Sequence, residues 1–285
     1  MLSAHDMSLW RTRGWVTASM DVTAAAAEAR DLLPDTDEAT EFGSPGARGE
    51  FPTGRPALDD ICARPELVRT VRGLLGAREV RLLQSDVWAK KGGIDQRVHQ
   101  DYGNNTLLLP RWESPEAVAV IIYYDDWCDG ATRVVSRRGA DDPAYARGPA
   151  RVAPGYHLPF VNDRADAEAL VLRRAPALAA FRATLYDREE AVPYARGTVL
   201  FYRHDLWHRG TPTDGRTRRV HSLGYVRAGA PGWTTWNRGF ARNMYYGHVE
   251  DLVRRWTPAQ RVLLGIPEAR TSDVVRRYVT PLARL

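Results

Sequence analysis

Cysteine is nearly absent from this chain. Cys62 and Cys128, two in 285 residues, give neither a disulfide framework nor the paired spacing of a zinc knuckle. Both are therefore expected to be reduced, in a cytoplasmic protein. No run reaches about 18 consecutive apolar residues, so no membrane-spanning helix is expected. The first residues lack a basic stretch followed by an apolar one, and no secretory signal is expected either. No self-similarity recurs at a period of 20–50 residues, which excludes solenoids and propellers. Lysine is scarce: most of the 40 cations, set against 35 acids for a net charge of +5, are arginine. These arginines fall in separated pairs, Arg137-Arg138, Arg173-Arg174, Arg218-Arg219, Arg254-Arg255 and Arg276-Arg277. A nucleic-acid footprint is denser, lies on one face and is interleaved with aromatics. Neither nucleic acid nor membrane is expected as a partner; a small molecule is, and the oligomeric state is left open.

At 285 residues, 44% of them hydrophobic, the chain can bury a sizeable core without covalent staples. The absence of a low-complexity linker points to a single domain over 1–285. Residues 21–33 read as a helix, with its alanine run and Asp21 or Thr23 at its start. Residues 35–56, rich in Gly, Pro and acids, read as a loop. Residues 64–75 read as a second helix, with Pro65 in its first turn and Gly76 ending it. From residue 79 the period changes. Residues 80–88, 117–124, 132–135, 198–202 and 218–226 read as strands, of which AVAVIIYY is the strongest and reads as buried on both faces. A long insertion spans 140–187. Thr257-Pro258-Ala259-Gln260 is a capping-box start for a short helix ended by Gly265 and Pro267. The expected layout is a helical N-terminal support over 1–78, a β core over 79–227 and a helical C-terminal segment over 228–285.

The chemistry-bearing pattern is His99-Gln100-Asp101, followed 109 positions later by His208. Side chains two apart on a strand share a face, so His99 and Asp101 can bind one metal ion together. Seven histidines and 22 aspartates predict about 0.5 His-x-Asp matches by chance, so the spacing alone is weak. Context adds to it: a strong strand follows the motif, and His208 stands at the end of the strand formed by Gly197-Thr198-Val199-Leu200-Phe201-Tyr202, before a Gly-Thr-Pro turn. Two imidazoles and one carboxylate, with other positions open, form the ligand set of non-haem ferrous oxygenases. A nearby arginine can grip an acidic co-substrate through paired hydrogen bonds. Two competing patterns are weaker. His248-Val249-Glu250 has helical surroundings, where i and i+2 diverge. His204 and His208, spaced i and i+4, would suit a zinc peptidase only on a helix, whereas β-branched and aromatic residues precede them.

With these pieces in order, the chain resembles the phytanoyl-CoA dioxygenase-like family of iron(II)/2-oxoglutarate oxygenases. The residues that carry the resemblance are His99-Gln100-Asp101, Ile122-Tyr123-Tyr124-Asp125-Asp126, Gly130-Ala131-Thr132-Arg133-Val134-Val135, Gly197-Thr198-Val199-Leu200-Phe201, Leu206-Trp207-His208 and the segment Arg218-Arg219-Val220-His221-Ser222-Leu223-Gly224-Tyr225. It covers about residues 82–226, and TPAQRVLLGIP resembles a tail of bacterial members. It implies a mainly β fold with flanking helices around a double-stranded β-helix (jelly-roll, cupin-like) core. It implies Fe(II) held by His99, Asp101 and His208, with 2-oxoglutarate and O2 as co-substrates. Arg218 matches the arginine that pairs with the far carboxylate of 2-oxoglutarate; counting from Ser222 favours it over Arg219, and strand alternation lets only one of the two face the pocket. Gln100 and Lys90 resemble polar positions near the co-substrate, and Thr211 could supply a hydroxyl to the same carboxylate. Relatives that chlorinate replace the carboxylate ligand with a small residue; Asp101 instead implies oxygen transfer, with hydroxylation of an unactivated C–H bond of a small molecule or natural-product intermediate as the default outcome. The expected pocket walls are Trp88, Tyr102, Trp127, Trp233 and Trp236, with Asn104 and Asn105 beside them. A non-redox jelly-roll, an isomerase or ligand-binding protein, is the alternative; it needs the histidines but not the arginine.

Overall fold

The computed structural model describes residues 2–40, 46–101, 112–126, 130–146, 161–230 and 247–268. Its strands are β1 (Trp15–Ser19), β2 (Arg48–Glu50), β3 (Val80–Lys90), β4 (Ala117–Tyr123), β5 (Arg133–Val134), β6 (Glu190–Ala191), β7 (Thr198–Arg203), β8 (His208–Arg209) and β9 (Arg218–Arg227). Its helices are α1 (Ala4–Arg13), α2 (Thr23–Leu32), α3 (Pro56–Ile61), α4 (Pro65–Leu75), α5 (Arg164–Arg174), α6 (Pro176–Tyr186), α7 (His248–Arg255) and α8 (Pro258–Arg261). Among the described residues, the strands form a six-stranded sheet in the order β1-β7-β4-β9-β3-β2 and a three-stranded sheet in the order β6-β5-β8. Every named pair is antiparallel.

The large sheet is apolar on both faces because it is covered on both. Alternation sends Val16, Val118, Val120, Ile122, Val199, Phe201, Leu223 and Tyr225 to one side, where they pack with Ala25, Ala26 and Ala29 of α2, Leu58 and Ile61 of α3, and Leu67, Val71 and Leu74 of α4. The other side carries Trp15, Ala119, Tyr123, Leu200 and Tyr202 against Val134, Val192, Tyr194 and Leu206 of the small sheet and its connections. Side chains such as Ile122 and Val120, fully buried, each contribute about 1.5–3 kcal/mol relative to exposure. Sheet facing sheet, with helices on the outer side, is the jelly-roll arrangement expected from the sequence.

Helix α4 shows how local signals carry into packing. Pro65 occupies its first turn, where a missing N–H costs nothing. Leu67, Val71 and Leu74 form its buried stripe, and Gly76, at φ 58°, closes it by donating its N–H to the carbonyls of Arg72 and Gly73. The Thr257–Gln260 capping box is also formed, with both reciprocal hydrogen bonds.

The N-terminal 78 residues are not merely a helical support. β1 pairs with β7 across five residues, and β2 pairs with β3 from Arg48↔Trp88 to Glu50↔Asp86. The segment 35–56 thus holds a strand rather than only a loop, and Pro56 begins α3. Arg-Gly-Glu has no strand propensity of its own. It pairs because the exposed edge of β3 offers a row of backbone donors and acceptors. The core therefore extends beyond 79–227. The 140–187 insertion contains α5 and α6 as expected, and its middle lies outside the described residues. Among the described residues, no helix is long and apolar enough to cross a membrane.

On the helix-covered side, His221 sits 2.8 Å from Ser85 Oγ through Nε2 and 2.9 Å from the Tyr124 hydroxyl through Nδ1. Burial lowers its pKa from 6.5 to about 3. The folded state therefore keeps this imidazole neutral where the unfolded chain would bind a proton, and stability is expected to fall as pH drops from about 6.5 toward about 3. Urea unfolding at pH 7.5, 6.5 and 5.5 should show a decline in midpoint that is shallower in His221→Asn; an identical slope in the variant would remove His221 as its source.

Candidate metal centre

His99 and His208 are brought together by the backbone. Each N–H donates to the other residue's carbonyl at 2.9 Å. They form a hydrogen-bonded antiparallel pair, whose side chains must lie on one face. The two rings accordingly stand 4.4 Å apart between centroids. His99 Nδ1 lies 3.0 Å from the Arg97 carbonyl, and His208 Nδ1 lies 3.0 Å from that of Leu206. A carbonyl can only accept, so both protons sit on Nδ1 and both Nε2 lone pairs are left for a ligand.

Asp101, two residues after His99, joins the same face. Its Oδ1 is 4.0 Å from His99 Nε2 and its Oδ2 is 3.5 Å from His208 Nε2. One ligand atom from each of the three residues lies within 4.8 Å of the others. Burial works to raise the Asp101 carboxyl pKa, but His208, His204, His99 and the Tyr202 hydroxyl outweigh it and hold the group below the usual carboxylate value. Burial, reinforced by neighbouring His208, pushes His99 down, with Asp101 opposing. One anion and a neutral imidazole with its lone pair directed inward form a donor set that can take a divalent cation without first losing protons.

The arginine alternatives separate by face. Arg219 points to the helix side, where its Nε donates to the Leu33 carbonyl at 2.7 Å, its Nη2 reaches Asp35 at 2.6 Å and its Nη1 lies 3.3 Å from Asp125. Arg218 opens β9 opposite Lys90 of β3 and is buried, yet its Nε and Nη1 have no hydrogen-bond partner among the described residues. Stepping by twos along β9 from Arg218 gives Val220, Ser222 and Gly224; Gly224 shares a register row with Ala119 and Tyr202. Arg218 therefore lies on the face whose Tyr202 touches Asp101. A buried guanidinium with two unsatisfied donors is costly unless an anion meets it.

The remaining sequence candidates are engaged with backbone carbonyls. Gln100 Nε2 donates to Asp205 at 2.5 Å, Lys90 Nζ to Ile94 at 2.8 Å, and Thr211 Oγ1 to Ala131 at 2.8 Å. The single hydroxyl proton of Thr211 is thus already given to Ala131 rather than free for a carboxylate. Trp88 is buried beneath the Arg48 guanidinium, 4.8 Å from its ring centroid. Tyr102, Asn104, Asn105, Trp127, Trp233 and Trp236 lie outside the described residues. His204 and His208 are not a helical pair: a turn follows β7 and His208 belongs to β8. His248 does begin a helix, α7.

Two features of the site escaped the sequence reading. Tyr202 donates its hydroxyl to Asp101 Oδ2 at 2.8 Å. Its signal was the alternation of β7, which places a phenol beside Leu200 on a buried face, where it needs a partner. Arg203, facing the other way, grips both Asp205 oxygens at 2.8 Å and the Trp112 carbonyl at 2.7 Å. That clamp fixes the turn leading into His208.

No family model and no curated protein matches the sequence. Solved structures match it in fold. The non-haem α-ketoglutarate-dependent carbocyclase SnoK of nogalamycin biosynthesis aligns with a TM-score of 0.57 at 18% identity, covering 85% of this chain and 90% of its own. HygX from Streptomyces hygroscopicus, solved with nickel, 2-oxoglutarate and hygromycin B bound, aligns at 0.53 and 16%, covering 80% and 88%. The epimerase SnoN of nogalamycin biosynthesis aligns at 0.53 and 16%, covering 83% and 84%. The shared architecture is the jelly-roll.

Removing the Arg203 clamp leaves Asp205 buried without its counter-charge. Arg203→Leu is expected to lower stability by about 3–5 kcal/mol, read by urea unfolding; a loss under about 1 kcal/mol would show that the turn holds without it.

Proposed function

We propose that this chain is a non-haem Fe(II)/2-oxoglutarate-dependent oxygenase that hydroxylates an unactivated C–H bond of a small molecule, such as a natural-product intermediate. The observation that carries the reading is the pairing of the His99, Asp101 and His208 cluster with a buried, unpartnered Arg218 on the facing sheet. A metal site alone would not need that guanidinium. An enzyme that binds a dicarboxylate beside its metal does.

In this assignment His99 and His208 bind iron through Nε2, with orientation and tautomer set by the Arg97 and Leu206 carbonyls. Asp101 supplies the anionic ligand and fills the position that a halide would need. Arg218 takes the distal carboxylate of 2-oxoglutarate through its Nε and Nη1 donors, with Lys90 beside it in register adding positive charge. When bound, iron would activate O2, the oxidant, with 2-oxoglutarate giving up two electrons as it is decarboxylated to succinate and carbon dioxide. Leu200, Tyr123 and Val134 line the inner core and exclude water. The protein's part is to hold these groups and to decide which C–H bond lies nearest. The resemblance to known oxygenases and the fold shared with carbocyclase, epimerase and 2-oxoglutarate-bound structures support the class. The hydroxylation outcome rests on Asp101 and on the resemblance.

Two measurements test this reading. Under anaerobic conditions, the protein with Fe(II) and 2-oxoglutarate should develop a weak visible charge-transfer band, and in air it should release succinate; His99→Ala and Asp101→Ala should show neither. Full succinate release by either variant would refute the ligand assignment. Separately, Arg218→Ala should raise the 2-oxoglutarate Kd by about 10- to 100-fold, the loss of a charge-assisted hydrogen bond or two. Arg219→Ala should leave that Kd near the wild-type value while lowering the melting temperature. The reverse result would place the co-substrate arginine one residue on.

A further inference from the structure

Tyr202 is the point where the large sheet touches the metal cluster on the small sheet. It lies on β7, buried, with its hydroxyl 2.8 Å from Asp101 Oδ2. Its ring also packs against the His208 ring, 4.6 Å between centroids at an angle of 53°. One side chain thus contacts two of the three donors. A carboxylate beside a metal ion can bind through one oxygen or turn to bind through both. The second mode takes up a coordination position. With Oδ2 tied to a fixed phenol, the two oxygens of Asp101 cannot turn equally toward one ion.

We infer that Tyr202 is a positioning residue: its hydroxyl fixes the rotation of the Asp101 carboxylate, making it a one-oxygen metal ligand and keeping a coordination position open for the co-substrates. This rests on the proposed metal role of His99, Asp101 and His208. It predicts that the hydroxyl acts on metal binding, whereas the ring acts on packing. Partners one step out from metal ligands typically change metal affinity by about 10- to 100-fold when removed.

Tyr202→Phe separates the two, since it keeps the ring against His208 and removes only the hydroxyl. The control is Tyr225→Phe, which deletes another buried hydroxyl, one that donates to the Cys62 carbonyl at 2.7 Å on the helix-covered face of the large sheet, opposite the face that carries Tyr202. Fe(II) affinity is measured anaerobically by competition with a chromophoric chelator, on protein shown to be folded by its melting curve. The expected result is an affinity about 10- to 100-fold weaker in Tyr202→Phe and unchanged in Tyr225→Phe. Wild-type affinity in Tyr202→Phe, or an equal loss in both variants, overturns the inference. If the wild type binds Fe(II) but gives no band with 2-oxoglutarate, the oxygenase reading falls while the Tyr202 comparison still stands or falls on metal affinity. If the wild type binds no Fe(II), both fall together.

Discussion

Everything at the site depends on two backbone hydrogen bonds, those exchanged by His99 and His208 at 2.9 Å. The residues are 109 positions apart, and nothing in their side chains would bring them together. The pair works because the strand context on both sides is fixed. Val135 N donates to the Trp207 carbonyl at 2.9 Å, holding β5 against the approach to His208. The Gly210 carbonyl accepts from the Gln96 N–H at 3.1 Å, and the Gly210 N–H donates to Gln96 Oε1 at 2.9 Å. A Cβ at Gly210 would stand 2.7 Å from Gln96 Oε1, so a side chain there would push the Gln96 amide aside and disturb this hydrogen bond. Once the ladder is set, same-face geometry delivers the imidazoles and alternation delivers Asp101.

Charge pairing explains why two adjacent arginines play opposite parts. Arg219 and Arg203 are buried with their guanidiniums satisfied, by Leu33, Asp35 and Asp125 in one case and by Asp205 and Trp112 in the other. Such clamps hold helix to sheet and turn to strand. Arg218 is also buried, but two of its donors face no acceptor among the described residues. Other buried or half-buried arginines among the described residues, such as Arg97, Arg182 and Arg188, leave one nitrogen unmet and are anchored through the rest, whereas Arg218 leaves two, at a local cost of about 1–3 kcal/mol per unmet group. Departures of that kind from local consistency gather where a molecule binds a ligand.

The sequence made much of this legible, and the limits have physical causes. β4 and β9 announced themselves through β-branched and aromatic runs, α4 through its proline, glycine and apolar stripe. The metal motif was readable because alternation on a strand is local. The choice between Arg218 and Arg219 was not fully readable, since alternation says that one faces inward but not which. β1 and β2 were missed because their pairing draws on edges supplied by β7 and β3, and a three-residue Arg-Gly-Glu carries no pattern. Tyr202 was missed for a different reason: its partner lies 101 residues away, and a buried phenol alone names no acceptor.

The division between a structural face and a chemical face is itself set by one irregularity in β3. Between Leu82 and Gln84 the register against β9 shifts by a residue. Val80 and Leu82 before the shift, and Val87 and Ala89 after it, all join the helix-side core, although their numbers differ in parity. An unbroken strand would have sent Val87 and Ala89 inward and Asp86, Trp88 and Lys90 against the helices. Inserting one residue inverts that, since a single slip exchanges every side chain between faces. The shift stands opposite Gly224. Lys90 then meets Arg218 in register, on the side that looks toward Asp101. The positive end of the inner face is thus the product of a backbone irregularity at Leu83, upstream of Lys90, and the partial alternation visible from Val80 to Trp88 is its trace in the sequence.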